Sequence, residues 1–525
     1  MARSHLHAMT LARQRTRTSE PTSGTSSDAE LRTSGAVSAS AAPIAAVEGG
    51  ASPPAAPAEG GALHVVTFGC QMNKYDSQLV EGRFAARGWR LVADAQQADL
   101  VVFNTCSVRE HAEERAYSWL GELKRLKAAR PQLIVGVMGC MAQRSQGEVF
   151  ERAAHVDLVC GTRRFDQLPE LVDELRARRA AQGASARVLA VEEQGLLGLD
   201  RTGEAYAGGM HGYLAVMRGC DLSCTYCIVP SVRGRVASRA PAELLAEARW
   251  MVERGCKVIT LLGQTVNSYG EDLPVPDPSA PRGRGRQGRP ALADLLYALE
   301  ELAGLEQVRL ITLHPAYVTA ALARALRECS KTARFLPLPA QSGSDRVLRA
   351  MKRGYTSALY RDKVALLRGE VPDLELGSDW IIGFPGEERA DFDQSVALLE
   401  EIGFANSYVF RYDPRPGTAA YARGTGASPQ EMGERNQLLL EAAERAQALR
   451  TQRQLGSTQL VFVEERAPRD PRLLRGRTRE HFLISFPGPE QLIGSAQRVR
   501  VEHVSPWALA GRLESDVLAD SAAAR

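Results

Sequence analysis

The chain has 525 residues, with 65 Lys and Arg against 62 Asp and Glu, for a formal net charge of +3. So even a balance excludes a global field that would draw the whole molecule to nucleic acid, so any such surface must be local. No run of about 18 apolar residues occurs, which excludes a membrane-spanning helix and leaves no membrane partner to expect. Nine cysteines, an odd count without an apolar export segment in residues 1–17, suit thiols used as ligands in a reducing cytoplasm rather than disulfides.

The length suggests about three domains. Residues 1–62 are low complexity, rich in Ala, Ser, Thr, Gly and Pro, and cannot bury enough apolar surface to offset their ordering entropy. They are expected to be disordered. Order begins near His64. Three apolar runs follow, each ending in a cysteine: HVVTFGC at Cys70, LVVFNTC at Cys106 and IVGVMGC at Cys140. Amphipathic stretches at 76–87 and 110–129 separate them. Apolar run, helix, apolar run is the pattern of βαβ units on a parallel sheet. The carboxyl ends of such strands share one edge, the ligand crevice. The three cysteines are therefore expected at one edge, although buried Cys is common enough that each alone would be unremarkable. A helical stretch at 165–179 closes this domain, spanning 63–180, and a polar linker follows over 181–205.

The next domain, 206–450, carries six apolar runs at 213–217, 258–262, 308–313, 334–338, 376–382 and 407–412, separated by helical stretches. Six βα repeats predict a partial (β/α)6 barrel, open on one side, with its chemistry at the carboxyl-end face. A Pro, Gly and Arg-rich stretch at 271–290 interrupts it. It reads as a solvated surface loop, with contact to RNA as the alternative. A long helical pattern at 430–454 leads to a module of short strands over 455–515, a small β-barrel. The fold class is thus α/β, with a terminal β-barrel. Arg475, Arg477, Arg479 and Phe482 sit in an Arg-rich connection of that barrel. Cations beside an aromatic suit RNA phosphates and bases; a solvated loop above two core phenylalanines, Phe482 and Phe486, suits the pattern equally.

Chemistry concentrates at 218–239, RGCDLSCTYCIVPSVRGRVASR. Cys220, Cys224 and Cys227 form a C-x3-C-x2-C set. Three thiolates in one loop can hold a soft metal centre, one ligand short of the four that usually close an iron–sulfur cubane. A zinc knuckle or three buried thiols are the plainer alternatives, but no second cysteine pair lies nearby. The spacing closely resembles that of the radical S-adenosylmethionine (SAM) enzymes.

Together with TFGCQMNKYDS, NTCSVREHAEERA, GCMAQR, ITLLGQTVNSYG, QSGSDRVLRAMKRGYT, IIGFPGE and DPRPGT, the chain from about 63 to 515 resembles the methylthiotransferase family, and its last module resembles a TRAM domain. The resemblance implies two [4Fe–4S] clusters and SAM. Cys220, Cys224 and Cys227 would hold the cluster whose open iron binds SAM; Cys70, Cys106 and Cys140 would hold an auxiliary cluster that carries the inserted sulfur. The SAM pocket would draw on loops after strands, at Gly263, Gln264, Asn267, Gln341, Ser342, Asp379 and Gly383. One SAM would give a methyl group to sulfur; another would yield a radical that takes hydrogen from C2 of an adenine. An aromatic C–H has no useful acidity, so no catalytic acid or base need be present.

The sequence Gly69-Cys70-Gln71-Met72-Asn73 looks like the branch acting on N(6)-dimethylallyladenosine in tRNA, rather than the branches acting on threonylcarbamoyladenosine or a ribosomal-protein aspartate. A non-catalytic RNA-binding iron–sulfur sensor is the alternative of another class. The implied partners are the tRNA anticodon loop and a reduced flavodoxin- or ferredoxin-type electron donor, with the chain a monomer. Two departures from the family pattern, Pro337 to Ala340 and Trp380, are expected near the SAM or substrate pocket. Cys160, Cys256 and Cys329 match no ligand motif, and His314 suits a site residue or a structural histidine equally.

Overall fold

A computed structural model describes residues 60–515 apart from 108–109, 184, 193–200, 202–208, 280 and 426. Residues 1–59, most of the stretch expected to be disordered, lie outside the described residues.

The first domain is a six-stranded parallel sheet. Its strands are β1 (Ala62–Thr67), β2 (Arg90–Leu91), β3 (Leu100–Thr105), β4 (Ile134–Gly139), β5 (Leu158–Cys160) and β6 (Val188–Ala190), in the order β2-β1-β3-β4-β5-β6. Every residue of β3 and β4 is buried, as apolar strands covered on both faces must be. One face packs Leu79, Phe84, Phe165 and Leu171; the other packs Phe68, Leu120 and Val149. Two expectations change here. The closing helix runs Leu168–Gln182, and β6 lies inside the expected linker, pairing with β5 at the sheet edge. Three residues of β propensity were too short a signal against the Ala and Gly around them.

The second domain begins with β7 (His211–Ala215), followed by a two-stranded ribbon of β8 (Met217–Arg218) and β9 (Ala237–Ser238) that brackets the C-x3-C-x2-C loop. Then come β10 (Val258–Leu262), β11 (Gln307–Leu310), β12 (Phe335–Pro337), β13 (Glu375–Ile382) and β14 (Asn406–Arg411). β7, β10 and β11 pair in parallel, as do β12, β13 and β14. A bridge between Val308 and Thr332, with Ala333 N donating to Val308 O at 2.9 Å, joins the two halves. This is the expected open (β/α)6 barrel. Four of its helices start where hydroxyls cap them: Thr319 on Leu322 N, Ser344 on Val347 N, Thr356 on Leu359 N and Ser428 on Glu431 N.

Trp380 belongs to the layer between sheet and helices, fully buried and edge-on to Phe404 with centroids 5.7 Å apart. This corrects its expected place near the SAM or substrate pocket. Successive residues of a strand face opposite sides, so it is Asp379 that turns to the other face of β13.

The third domain is a closed barrel of β15 (Thr458–Arg466), β16 (Leu473–Thr478), β17 (Leu483–Pro487), β18 (Ala496–Val504) and β19 (Leu509–Leu513), in the order β15-β16-β17-β19-β18. Part of the Arg-rich connection is itself a strand. Leu474, Gly476 and Thr478 of β16 are buried while Arg475 and Arg477 alternate with them. The barrel docks on the amino-terminal side of the (β/α)6 strands. Arg309 Nη1 donates to Glu464 Oε1 at 2.9 Å, Arg334 N donates to Arg479 O at 2.9 Å, and the His481 ring stacks on Phe335 at 4.9 Å.

That seam holds two neutral histidines. Burial, with Arg309, Arg477 and Lys74 adding to it, holds His211 down at about 3; burial, Arg477, Arg309 and His211 hold His481 well below its ordinary value. A histidine whose folded value is depressed takes up its proton on unfolding. Its contribution is therefore complete above the unfolded value of roughly 6.5 and is lost as pH falls below it. Lowering the pH from 7.5 to 5 is expected to lower the amide protection factors, corrected for the slower intrinsic exchange at acid pH, in β12 and β16 before those in β3 and β4. Uniform exchange across the three domains would count against it.

Candidate active site

β1, β3 and β4 are neighbours, so Cys70, Cys106 and Cys140 leave three adjacent strand ends at one edge of the sheet. Gly69 and Gly139 make the turns, with φ of 111° and 101°. A Cβ at Gly69 would lie 2.5 Å from Cys106 Cβ, and one at Gly139 2.3 Å from the Thr105 carbonyl oxygen. Asn73 locks the edge: its Nδ2 donates to Asn104 Oδ1 and Thr105 O, both at 3.0 Å, and Cys70 Sγ lies 3.4 Å from its Oδ1. Burial pushes the Cys140 thiol up; the nearby Arg233 guanidinium opposes this and Cys70 adds to it.

The other trio rests on the ribbon. Gly219 has φ of 74°, and a Cβ there would meet Arg235 O at 1.9 Å, so only glycine lets β8 approach β9. Cys220 N donates to Gly234 O at 3.1 Å, and Thr225 binds the end of the helix Asp345–Ala350 through Met351 O and Ala350 O. Burial raises Cys220 and lifts Cys227 to about 12. Buried thiols of this kind give up their protons on binding a metal centre. A buried guanidinium attends this trio too, with Arg353 Nη1 donating to Cys224 Sγ at 3.4 Å.

The two trios are tied together. Met72 and Tyr75 of the helix after Cys70 pack on Ala215 and Leu262, at the ends of β7 and β10. Arg218 and Arg233, which flank the C-x3-C-x2-C loop, both end on Asp76 of that helix. Cys140 packs on Ile228 and Val232. The edge of the first sheet thus meets the carboxyl-end face of the barrel.

The residues fit two iron–sulfur clusters. Each trio supplies three cysteines that form no disulfide. Among the described residues no three His, Cys, Asp or Glu side chains converge tightly enough for one metal ion. Three thiols apiece, with no fourth Cys or His beside them in sequence, are the donor set of a cubane with one iron left open rather than of a closed four-ligand zinc site. Two buried polar atoms in the loops that carry the sites, Gln264 Oε1 after β10 and Arg233 Nη1 after Cys227, have no nitrogen or oxygen partner among the described residues, as atoms awaiting a ligand would.

The seven residues expected in the SAM pocket divide. Gly263 lies against Met217, whose Cγ a Cβ would meet at 2.6 Å, and Gln264 keeps its free oxygen beside it. Asn267 is committed elsewhere: its amide donates to His314 O at 2.9 Å and accepts from His314 N at 2.8 Å, clamping the loops after β10 and β11. Gln341 adopts φ of 65°, strained for a non-glycine residue, between Asp379 O and Ile381 N. Ser342 is pinned to Ser395 at 3.3 Å. Gly383 is structural: a Cβ would meet Met432 Sδ at 2.0 Å. Tyr355, whose hydroxyl donates to Ala340 O at 2.8 Å, holds the Pro337 to Ala340 segment. His314 is buried between the Tyr317 and Tyr355 rings and held at about 3 by burial and Arg353, so it is neutral. Cys160 is buried in the core of the first sheet, and Cys256 and Cys329 in the core of the barrel.

The expected RNA-binding residues are mostly occupied. Phe482 is 7% exposed in the barrel core with Phe486, where no base can stack; this corrects the expectation and favours the core-phenylalanine alternative. Arg475 pairs with Glu465, Arg477 with Glu464, and Arg479 with the Ser330 carbonyl. In the 271–290 loop, Arg284 pairs with Asp294 at 2.7 Å and Arg289 binds Leu273 O. The sequence reading expected a strand at β18 but passed over its outward arginines, Arg498 and Arg500, which alternate with buried Val499 and Val501 beside Arg512 of β19. Exposed Trp507 lies in the loop between these two strands. The alternation RVRV was the signal. It also passed over Asp76, Arg218, Arg233 and Arg353, whose roles appear only when distant segments meet.

Residues 62–161 match Uncharacterized protein family UPF0004, 214–399 the Radical SAM superfamily and 452–513 the TRAM domain. The chain is 37% identical over 450 residues to a tRNA-2-methylthio-N(6)-dimethylallyladenosine synthase of Protochlamydia amoebophila, covering 86% of this chain and 96% of the relative. It is 37% identical over 480 residues to the protein of that name from Bordetella avium, covering 90% and 96%. The one from Burkholderia cenocepacia is 38% identical over 460 residues, covering 86% and 96%. These three domain matches, and identity at this level over nearly the whole of each relative, place the chain in the radical SAM methylthiotransferase family of the tRNA-2-methylthio-N(6)-dimethylallyladenosine synthases.

Proposed function

We propose that this chain methylthiolates C2 of N(6)-dimethylallyladenosine in tRNA, at the adenosine 3′ of the anticodon. The observation that carries the reading is the meeting of two three-thiol sites at one barrel face, tied by Asp76 to Arg218 and Arg233. The cofactors are SAM and two [4Fe–4S] clusters. When bound, they supply a carbon-centred radical and a sulfur, and the protein mainly positions and shields them.

Cys220, Cys224 and Cys227 hold the cluster that binds SAM; Cys70, Cys106 and Cys140 hold the other. Three thiolates per cluster leave one iron open, for SAM in the first and for sulfur in the second. Gln264 and Gly263 line the SAM side, and Asp379 faces it from β13. Asn267 acts one step back, fixing His314. Arg353 keeps a positive charge beside Cys224, where an added electron is stabilised by it. The buried arginines and apolar walls exclude water from a reactive radical. The TRAM barrel binds the tRNA backbone through Arg500 and, as they exchange Glu514 and Glu502 for phosphate, through Arg498 and Arg512, with Trp507 offering a ring to a base. The chain acts as a monomer, reduced by a flavodoxin- or ferredoxin-type donor. A reducing cytoplasm suits nine cysteines that form no disulfide.

The test is nucleoside mass spectrometry. Anaerobically reconstituted protein is given SAM, reductant, sulfide and tRNA carrying dimethylallyladenosine, and the 2-methylthio nucleoside is expected to appear. Unchanged tRNA with SAM consumed would point to another substrate. Unchanged tRNA with SAM intact, in protein with both clusters verified, would favour a non-catalytic sensor.

A further inference from the structure

Asp76 has no exposed surface, yet it receives two guanidinium groups. One negative charge between two positive ones leaves an excess positive charge in a place sealed from water. Arg233 is the arginine nearer the strand-end thiols. Its Nη2 donates to Asp76 Oδ2 at 3.1 Å and to Asn73 Oδ1 at 3.3 Å, so Nη2 is fixed by the helix that follows Cys70. Its Nη1 is buried and meets no nitrogen or oxygen acceptor among the described residues, and the remaining partner of the guanidinium is a sulfur, the Cys140 thiol. The Cys140 and Cys70 thiols flank the same guanidinium, and the Cys140, Ile228 and Val232 cluster closes the space beside it. A buried N–H without an acceptor is destabilising, and a charged one more so. A donor left free beside a site that must take up an anion is accounted for if the anion is its acceptor.

We propose that Arg233 recognises the anionic sulfur, sulfide or methanethiolate, that the Cys70, Cys106 and Cys140 site carries, with Nη1 donating to that sulfur. Asn73 and Asp76 hold Nη2 so that Nη1 is directed. The inference rests on the assignment of a second cluster to these three cysteines. Arg233 comes from the C-x3-C-x2-C loop, six residues after Cys227. The sulfur is therefore held by a side chain of the loop that carries the SAM site, and the two sites stay in register. Arg233 is a positioning residue, distinct from the six thiolates. A planar guanidinium with one nitrogen anchored and another free suits this task; the single compact ammonium of lysine does not reproduce it.

The test uses full-length protein in which Cys220, Cys224 and Cys227 are all replaced by Ala, leaving one cluster. Reconstituted anaerobically and reduced, it is titrated with sodium methanethiolate and followed by the electron paramagnetic resonance spectrum of the cluster. Arg233→Gln is expected to weaken methanethiolate binding at least tenfold, with iron content unchanged and the cluster midpoint potential shifted negative by loss of the charge. Arg233→Lys is expected to bind with intermediate affinity. Unchanged affinity in Arg233→Gln overturns the proposal. Should that variant lose its iron, Arg233→Lys carries the test, and parental affinity there overturns it equally. If the parent with three Ala substitutions forms no cluster, the second-cluster assignment fails, and this inference fails with it.

Discussion

Protein carrying Cys106→Ala is expected to cleave SAM to 5′-deoxyadenosine and methionine while forming no 2-methylthio nucleoside; Cys220→Ala should do neither. The reason is structural separation. Cys106 leaves β3 and is set by Gly69 and the Asn73–Asn104 pair, all in the first domain. The loop holding Cys220 is anchored by Gly234 O, Met351 O and Ala350 O, all in the barrel. The trios share the Asp76–Arg218–Arg233 link, but that link joins carboxylate to guanidinium and does not pass through the Cys106 thiol, so removing this thiolate is expected to leave the supports of the Cys220 loop in place. Chromatography of 5′-deoxyadenosine and mass spectrometry of the digested tRNA read the two outcomes. Full product from Cys106→Ala would overturn the two-site assignment, and loss of SAM cleavage there would show that the trios are not separable.

Trp380→Ala is expected to destabilise the barrel by about 3–5 kcal/mol, the usual cost of truncating a large buried aromatic. Trp380 is fully buried, meets Phe404 edge-on and borrows Ser407 Oγ as acceptor for its indole N–H at 3.3 Å. Its side chain lies on the helix side of β13, so SAM affinity of the folded variant is expected to hold within twofold. Trp380→Leu, closer in volume, should cost less. Denaturant unfolding gives the first quantity and equilibrium binding of SAM the second. A folded Trp380→Ala protein that loses SAM binding with unchanged stability would return Trp380 to the pocket.

Much of the molecule was legible in local pattern. The three apolar runs ending in Cys70, Cys106 and Cys140 predicted a parallel sheet with its thiols at one edge, and the sheet has that form. The six later runs predicted the barrel strands to within a few residues. Such patterns read well because strand and helix periods are properties of a few neighbouring residues. Short elements escaped: β6 has three residues, and β16 was obscured by arginines whose alternation with Leu474, Gly476 and Thr478 marks a strand. Composition also misled where it stood in for exposure. Arg477 and Arg479 look like a basic surface in the sequence, yet they serve the seam with the (β/α)6 domain.

The distinction has a physical basis. Which residues form strands, which loop presents three cysteines, and which residues carry the family's motifs are set over windows of ten to twenty residues, and the chain alone was enough for them. Which face Trp380 occupies, whether Asn267 meets a ligand or His314, and where Phe482 hides depend on packing between segments far apart. The junction of the trios depends on this most of all. Asp76 meets Arg218 and Arg233 across 142 and 157 residues of chain. Buried charges find partners by three-dimensional proximity and desolvation, and no local pattern encodes either.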